Sequence, residues 1–383
     1  MPSLAELDEK LRDPVLGKKF LSRIISRAEA LAGRLGRRPV FMEVCGTHTE
    51  AISRSGLRSL LRKTADLRSG PGCPVCVTAE EDIEAVINLA RLPGIVVATF
   101  GDLVRVPGAF SSLEEERARG ARVQVVYSPA QALDLAGAGP GREVVFLGAG
   151  FETTAPLTAV CLKEARRRGI KNFSVFSLHK LIPPALVALL GDSGTAPDGL
   201  LLPGHVSAVI GRAAYDFLAR DYGVPAVVTG FEPLDILEGI WLLLEMLEKG
   251  RPEVKNAYPR AVREKGNPRA QAVLEECFEP GPAAWRGLGE IPGSGLHLKG
   301  EYRTGDARAR FPLPRPQARA GAGAKTGCRC GELLRGRLTP PECPLFGRSC
   351  TPVRPAGPCM VSSEGACAAY YRYERSGSTF SGL

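Results

Sequence analysis

Through the first two-thirds of the chain, short apolar runs alternate with stretches whose apolar residues recur every three or four positions. Runs of the first kind, bounded by Gly, Pro or polar residues, read as buried strands, and the second kind as helices laid over them. Strands are expected at Val40–Val44, Asp66–Arg68, Ile95–Phe100 and Val123–Tyr127, and again at Val144–Leu147, Phe173–Phe176, Leu200–Leu202 and Ala226–Thr229. Alternation of strand and helix predicts parallel sheets. Between the two sets, Gly137-Ala138-Gly139-Pro140-Gly141 reads as a linker. The expectation is an α/β protein with two similar parallel-sheet α/β domains, over residues 1-137 and 138-250. The helix carrying Leu234, Leu237, Ile240, Trp241, Leu244 and Leu247 has one apolar stripe and should pack back on the sheet units. After Gly250 the pattern breaks: Pro, Gly and Arg dominate, no strand is expected, and Arg308–Ala324 reads as irregular or mobile. Residues 251-383 then form a third, loop-rich domain that needs something other than an apolar core to hold it.

Composition narrows the class. At 383 residues with 44% hydrophobic positions, the chain is long enough for two or three domains with real cores. The net charge of +9 is spread thinly and aromatics make up only 6%, which reads as a solvated basic surface rather than a nucleic-acid interface. The start, Met1–Glu6, carries an early acid and no apolar core of signal-peptide length. The strongest apolar run, Ile240–Leu244, is cut by Glu245 and Glu248, so no membrane span is expected and the protein is placed in the cytoplasm. In that compartment eleven cysteines point to metal binding or redox work rather than a disulfide scaffold. Cys161 and Cys277 stand alone and read as small core residues; the other nine fall into two groups.

The first group is Cys45, in Cys45-Gly46-Thr47-His48-Thr49-Glu50, with Cys73 and Cys76 of Gly70-Pro71-Gly72-Cys73-Pro74-Val75-Cys76. Each motif follows an expected strand and precedes an expected helix, with capping boxes at Thr47/Glu50 and Thr78/Glu81. Adjacent strand-to-helix turns face the same crevice at the carboxyl ends of a parallel sheet, so the three thiols should converge there. Facing a helix N-terminus favours thiolate, hence disulfide exchange or metal binding. Three readings stay open: a structural zinc site, a redox disulfide, or a site that transiently holds iron through two or three of Cys45, Cys73 and Cys76. His48, in the first helical turn, is a candidate for proton handling or metal contact. His179, His205 and His297 read as structural. Glu152, in Gly148-Ala149-Gly150-Phe151-Glu152, puts a carboxylate where a dinucleotide fold would seat pyrophosphate, which argues against nucleotide binding. It reads instead as a polar lip facing a partner or the metal site.

The second group is Cys328, Cys330, Cys343, Cys350, Cys359 and Cys367. Their spacing is neither that of a zinc ribbon nor of a bacterial ferredoxin. Six thiols among Gly and Pro fit a four-cysteine iron–sulfur cluster plus an extra pair, and spacing leaves open which four ligate.

Taken in order, the motifs around Cys45, Cys73/Cys76 and Gly150-Phe151-Glu152-Thr153-Thr154 and the tail from Cys343-Pro344-Leu345-Phe346-Gly347 to Gly357–Cys367 resemble the HypD family of nickel–iron hydrogenase maturation factors. The resemblance implies a cytoplasmic scaffold for assembly of the Fe(CN)2CO group, working with the chaperone HypC and receiving cyanide from HypE. It implies that Cys45 holds the iron with HypC and that Cys73 and Cys76 form a redox pair beside it. It further implies that Cys328, Cys343, Cys350 and Cys367 bind a 4Fe-4S cluster, leaving Cys330 and Cys359 as a redox pair like that of ferredoxin–thioredoxin reductase. Reducing equivalents would then pass from the cluster through Cys330/Cys359 to Cys73/Cys76. Where the family often has a second histidine after CGTHT, this chain has Glu50. The competing expectation is a stand-alone iron–sulfur protein-disulfide reductase, which would not need Cys45.

Overall fold

The computed structural model describes residues 11, 13–192, 194, 197–311, 313 and 327–375. The Met1–Glu6 start and residues 314–324 of the stretch expected to be irregular lie outside them.

All eight expected strands form, but their partners differ from the expectation. In chain order they are β1 (Val40–Glu43), β2 (Asp66–Ser69), β3 (Ile95–Thr99), β4 (Arg122–Val125), β5 (Glu143–Gly150), β6 (Phe173–His179), β7 (Gly199–Pro203) and β8 (Ala226–Thr229). Three more follow: β9 (Val254–Asn256), β10 (Phe278–Trp285) and β11 (Gly289–Leu298). One parallel sheet runs β2-β1-β7-β8-β9 and the other β4-β3-β5-β6, while β10 and β11 make an antiparallel hairpin. Each strand set therefore splits between the two sheets. The second sheet is built entirely from chain that leaves the first after β2 and returns at β7.

The Gly137–Gly141 stretch is accordingly no linker between sheets. It is a tight turn after the helix Pro129–Ala138, and it delivers β5 to pair with β3 through Ile95 and Glu143. The expectation that strands stop after Gly250 is likewise corrected: β9 extends the first sheet, and the hairpin packs on the second beside β6. Apolar alternation marks a strand well but carries no information on which strand lies next to it.

The two sheets are similar in plan. In each, the first strand lies inside, with the second on one side and the third on the other, so the winding direction reverses beside it. Strands β7 and β8 are buried along their whole length, as both-face coverage by helices requires. The helix Pro233–Lys249 packs on β7, β8 and the helix Pro14–Leu35, as its stripe predicts. Cys161 and Cys277 lie in an apolar core with β5, β6 and the hairpin. A larger core runs from Met42 of β1 and the CxxC turn through the second sheet to Trp285, Cys330 and Cys359. Among the described residues, no helix is long and apolar enough to cross a membrane.

Candidate functional site

Reversal of the winding opens a crevice at the carboxyl ends of both sheets. Cys45 leaves β1, the first strand of the first sheet, and Glu152 follows β5, the strand beside the first strand of the second. The Cys45 and CxxC turns are stitched together by backbone. Gly46 N–H donates to Gly72 O at 2.8 Å, and Gly70 N–H to Glu43 O at 2.8 Å. Gly72 lies so close that an added Cβ would stand 2.0 Å from the Cys45 nitrogen. Only glycine fits there. Cys73 caps the short helix Pro74–Val77, its sulfur accepts from Cys76 N–H at 3.1 Å, and the two cysteines are joined as a disulfide with Cα atoms 5.2 Å apart. This helix packs against β5, bringing the CxxC to the second sheet.

Neither capping box forms. Thr47 Oγ1 donates instead to Glu364 Oε1 at 2.8 Å, and Glu50 faces Tyr373. Thr78 Oγ1 donates to Pro74 O at 2.8 Å, its backbone bridges Trp285, and the following helix starts at Glu80 with no side-chain cap. Tertiary partners have claimed the residues that local pattern assigned to the caps.

Electrostatics at the crevice are set by burial. Cys45 is 7% exposed, and burial pushes its thiol up to about 12, although the His48 backbone N–H hydrogen-bonds it. Carboxylates of Glu364 and Glu43 raise it further. Glu43 accepts from Cys45 N–H at 3.0 Å and from the Thr49 hydroxyl, yet burial still raises it to about 7. His48 is fully buried, and burial lowers its ring to about 4, so the imidazole is neutral. Its Nε2 donates to Gly230 O at 2.8 Å, tying the Cys45 turn to the end of β8, and Nδ1 is left without a partner. Phe231 stands between it and His205, with ring centroids 4.8 Å and 4.1 Å apart.

Glu152 is 3% exposed and accepts from Ile182 N–H at 2.9 Å through Oε1, while Oε2 has no partner among the described residues; burial raises it to about 7. Gly148 and Gly150 belong to β5 and pair with Ser177 and His179, so no phosphate-binding turn exists there. Tyr215 was invisible to the sequence pattern. It is fully buried with its hydroxyl 3.4 Å from Ser207 Oγ, and burial, then the charges of Glu152 and Cys45, push its phenol well above the usual value. His205, expected to be structural, is exposed just after β7 and stacks on Phe231. His179 is core, bonded to Thr158, and His297 bonds Pro282 O on the surface.

The C-terminal thiols converge as well. Cys330 and Cys359 bring their sulfurs to 2.7 Å. That contact lowers the Cys330 thiol and raises Cys359. Burial, then neighbouring thiolates, raise Cys328 to about 12 and Cys367 well above its ordinary value; Cys367 feels the charges of Cys330, Cys328, Cys350 and Cys343. An added Cβ at Gly357 would stand 2.5 Å from Cys328 Sγ. Among the described residues no three thiol, imidazole or carboxyl groups close around one bare ion. A four-iron cluster spreads its ligands over a wider cage, and the buried Cys350 with the half-buried Cys328, Cys343 and Cys367 would suit it, because bound iron offsets thiolate charge. The donor set fits such a cluster.

The C-terminal region touches both N-terminal motifs. Helix Pro358–Val361, carrying Cys359, packs on helix Pro74–Val77, and helix Ala366–Tyr373 packs on helix Gly46–Arg54. Arg58 pairs with Glu374 at 3.2 Å.

Two wound parallel sheets, with the Cys45 and CxxC turns at their carboxyl ends and a cysteine-rich tail packed on both turns' helices, define an α/β protein with clustered thiols. A family model described as "HypD: Hydrogenase formation hypA family" matches residues 18–374. The chain is 46% identical over 366 residues to the hydrogenase maturation factor HypD of Rhodobacter capsulatus, covering 95% of this chain and 97% of that one. It is 44% identical over 369 residues to the HypD of Escherichia coli (strain K12), covering 96% and 98%. The chain belongs to the HypD family of hydrogenase maturation factors.

Proposed function

We propose that this chain is the scaffold on which the Fe(CN)2CO group of nickel–iron hydrogenases is assembled, holding iron with a HypC-type chaperone and accepting cyanide from a HypE-type donor in the cytoplasm. The observation that carries the reading is the continuity of three thiol sites: the Cys45 turn abuts Cys73–Cys76, whose helix packs on that of Cys359. Cys45 holds the iron as thiolate, exchanging its proton for the metal, which overcomes the burial that keeps the free thiol protonated. Cys73 and Cys76, once reduced, add two thiolates beside it. His48, neutral in its buried position, and Glu152, with one free oxygen, take up and return protons as those thiols ionise. Cys328, Cys343, Cys350 and Cys367 would hold a 4Fe-4S cluster, which supplies one-electron transfer when bound. Cys330 and Cys359 form the dithiol that reduces Cys73–Cys76.

Infrared spectroscopy in the cyanide and carbonyl stretching region, on protein purified anaerobically with its co-expressed chaperone, tests this. Bands present in the wild type and lost in Cys45→Ala, with cluster absorbance retained, are expected. Bands that persist in Cys45→Ala would overturn the role of that cysteine; a cluster without any such bands would instead favour a disulfide reductase.

A further inference from the structure

The cysteine-rich segment has two sides. Its inner side carries Cys330 and Cys359 into the apolar core and lays the helix Pro358–Val361 on the CxxC helix. The outer side displays a loop whose composition differs from the rest of the surface: from Cys343 to Ser363 the chain holds Arg348 and Arg354 and no acid. Glu342 and Glu364, which flank that stretch, bond Thr339 and Thr47 instead. Arg348 stands in the loop that Gly347 N–H closes on Cys350 O at 3.0 Å. Next comes a tight turn in which the Thr351 and Arg354 backbones exchange hydrogen bonds of 3.2 and 3.0 Å, and it displays Val353 at 85% exposure. Arg105 reaches in from the loop after β3, donating to Pro352 O at 2.5 Å, and the chain just beyond it displays Phe110 at 73% exposure. Arg105, Arg348 and Arg354 are themselves exposed and form no ion pair among the described residues. Cys350 Sγ accepts from Ala356 N–H at 3.3 Å, so the displayed turn folds back over the sulfur of one proposed cluster ligand.

We propose that this face, formed by Val353, Phe110, Arg105, Arg348 and Arg354, docks a small acidic one-electron carrier protein that feeds the C-terminal cysteines. The proposal rests on the cluster reading above. The CxxC helix fills the inner side, and an outside donor meets the ligand-bearing loop on this one. Apolar tips among unpaired arginines fit an apolar patch among carboxylates, where charge steers the encounter and a small contact keeps it brief. Each docked carrier is oxidised by one electron. Two successive encounters supply the electron pair that, with two protons from solvent, converts one disulfide to two thiols.

The test is binding of an acidic plant-type 2Fe-2S ferredoxin to the full-length, cluster-loaded protein, followed by titration calorimetry and amide hydrogen exchange. Raising salt from about 20 to about 200 mM should weaken binding about tenfold. Bound ferredoxin should slow exchange at amides of 347–356 and 105–110. Arg348→Glu with Arg354→Glu should weaken binding by at least about tenfold, and Val353→Ser by about threefold. Lys265→Glu with Arg269→Glu, at exposed positions around the start of the helix Pro268–Cys277, changes net charge equally and should bind as wild type. No binding at low salt, salt-independent binding, protection only elsewhere, or equal loss in both charge-reversed proteins overturns the proposal. So does displacement of the ferredoxin from those amides by the co-expressed chaperone, which would assign the face to the chaperone. The cluster reading fails separately: it falls if the anaerobically purified chain shows no iron–sulfur absorbance.

Discussion

The two cysteine pairs rest on different kinds of support. Cys73–Cys76 hangs from β2 in a turn laced to β1 by backbone hydrogen bonds, so the sheet places it. Cys330 and Cys359 sit on helices of five and four residues, within a stretch held by turns and side-chain contacts. The first pair owes its position to secondary structure and apolar packing. The second shares in the apolar packing, since Cys330 and Cys359 belong to the larger core, but no strand carries it.

That contrast can be broken most forcefully from the C-terminal side. Cys343→Ala or Cys367→Ala should strip protection from amides across 327–375 while those of β1, β2, β7 and β8 keep theirs, a loss of several kcal/mol confined to one region. Native-state hydrogen exchange reads it; uniform loss through the sheets would contradict the division. Next in size is Gly72→Ala, whose Cβ meets the Cys45 backbone. It should cost about 3 kcal/mol in urea unfolding, and a cost near zero would mean the two turns are not so tightly joined.

Burial of two carboxyls gives a pH-dependent version. Glu43 and Glu152 are raised from 4.5 to about 7 in the folded chain. The folded state therefore holds more protons between those values, so stability falls as pH rises from about 4.5 to 7, by up to about 3 kcal/mol for each group. Glu152→Gln should remove about half of that slope, checked by urea midpoints across the range. A wild-type curve that climbs with pH would refute the sign. The smallest effect sharpens the contact between the regions: Thr47→Val, which loses the bond to Glu364, should cost about 1 kcal/mol and loosen the tail before the sheets, visible as earlier proteolysis near Glu364.

What could be read from sequence follows the same division. Eight of the nine strands of the two sheets were legible, most of them as apolar runs, while the three-residue β9 was not. Their pairing was not, since β1 and β7 carry no mark that they adjoin, and glycines at 137–141 look alike whether they end a domain or tighten a turn. At the site, the cysteine motifs and Glu152 stood out by residue type and spacing. Tyr215 and His205 did not, for each matters only through residues far away in the chain. The capping boxes failed for a related reason: Thr47 and Thr78 had better offers from the tail and the hairpin.

Interleaving of the sheets also has a temporal side. As the chain emerges from the ribosome, β1 and its Cys45 turn exist before their neighbour β7, and the whole second sheet must be made in between. At ordinary elongation rates that interval is on the order of ten seconds. The inner sheet can fold as a unit during it, while Cys45 waits with one wall of its crevice missing. A chain cut before β7 thus leaves the Cys45 turn without its neighbouring strand, and the cysteine-rich segment, made later still, packs on the helices after Cys45 and Cys73 once they exist.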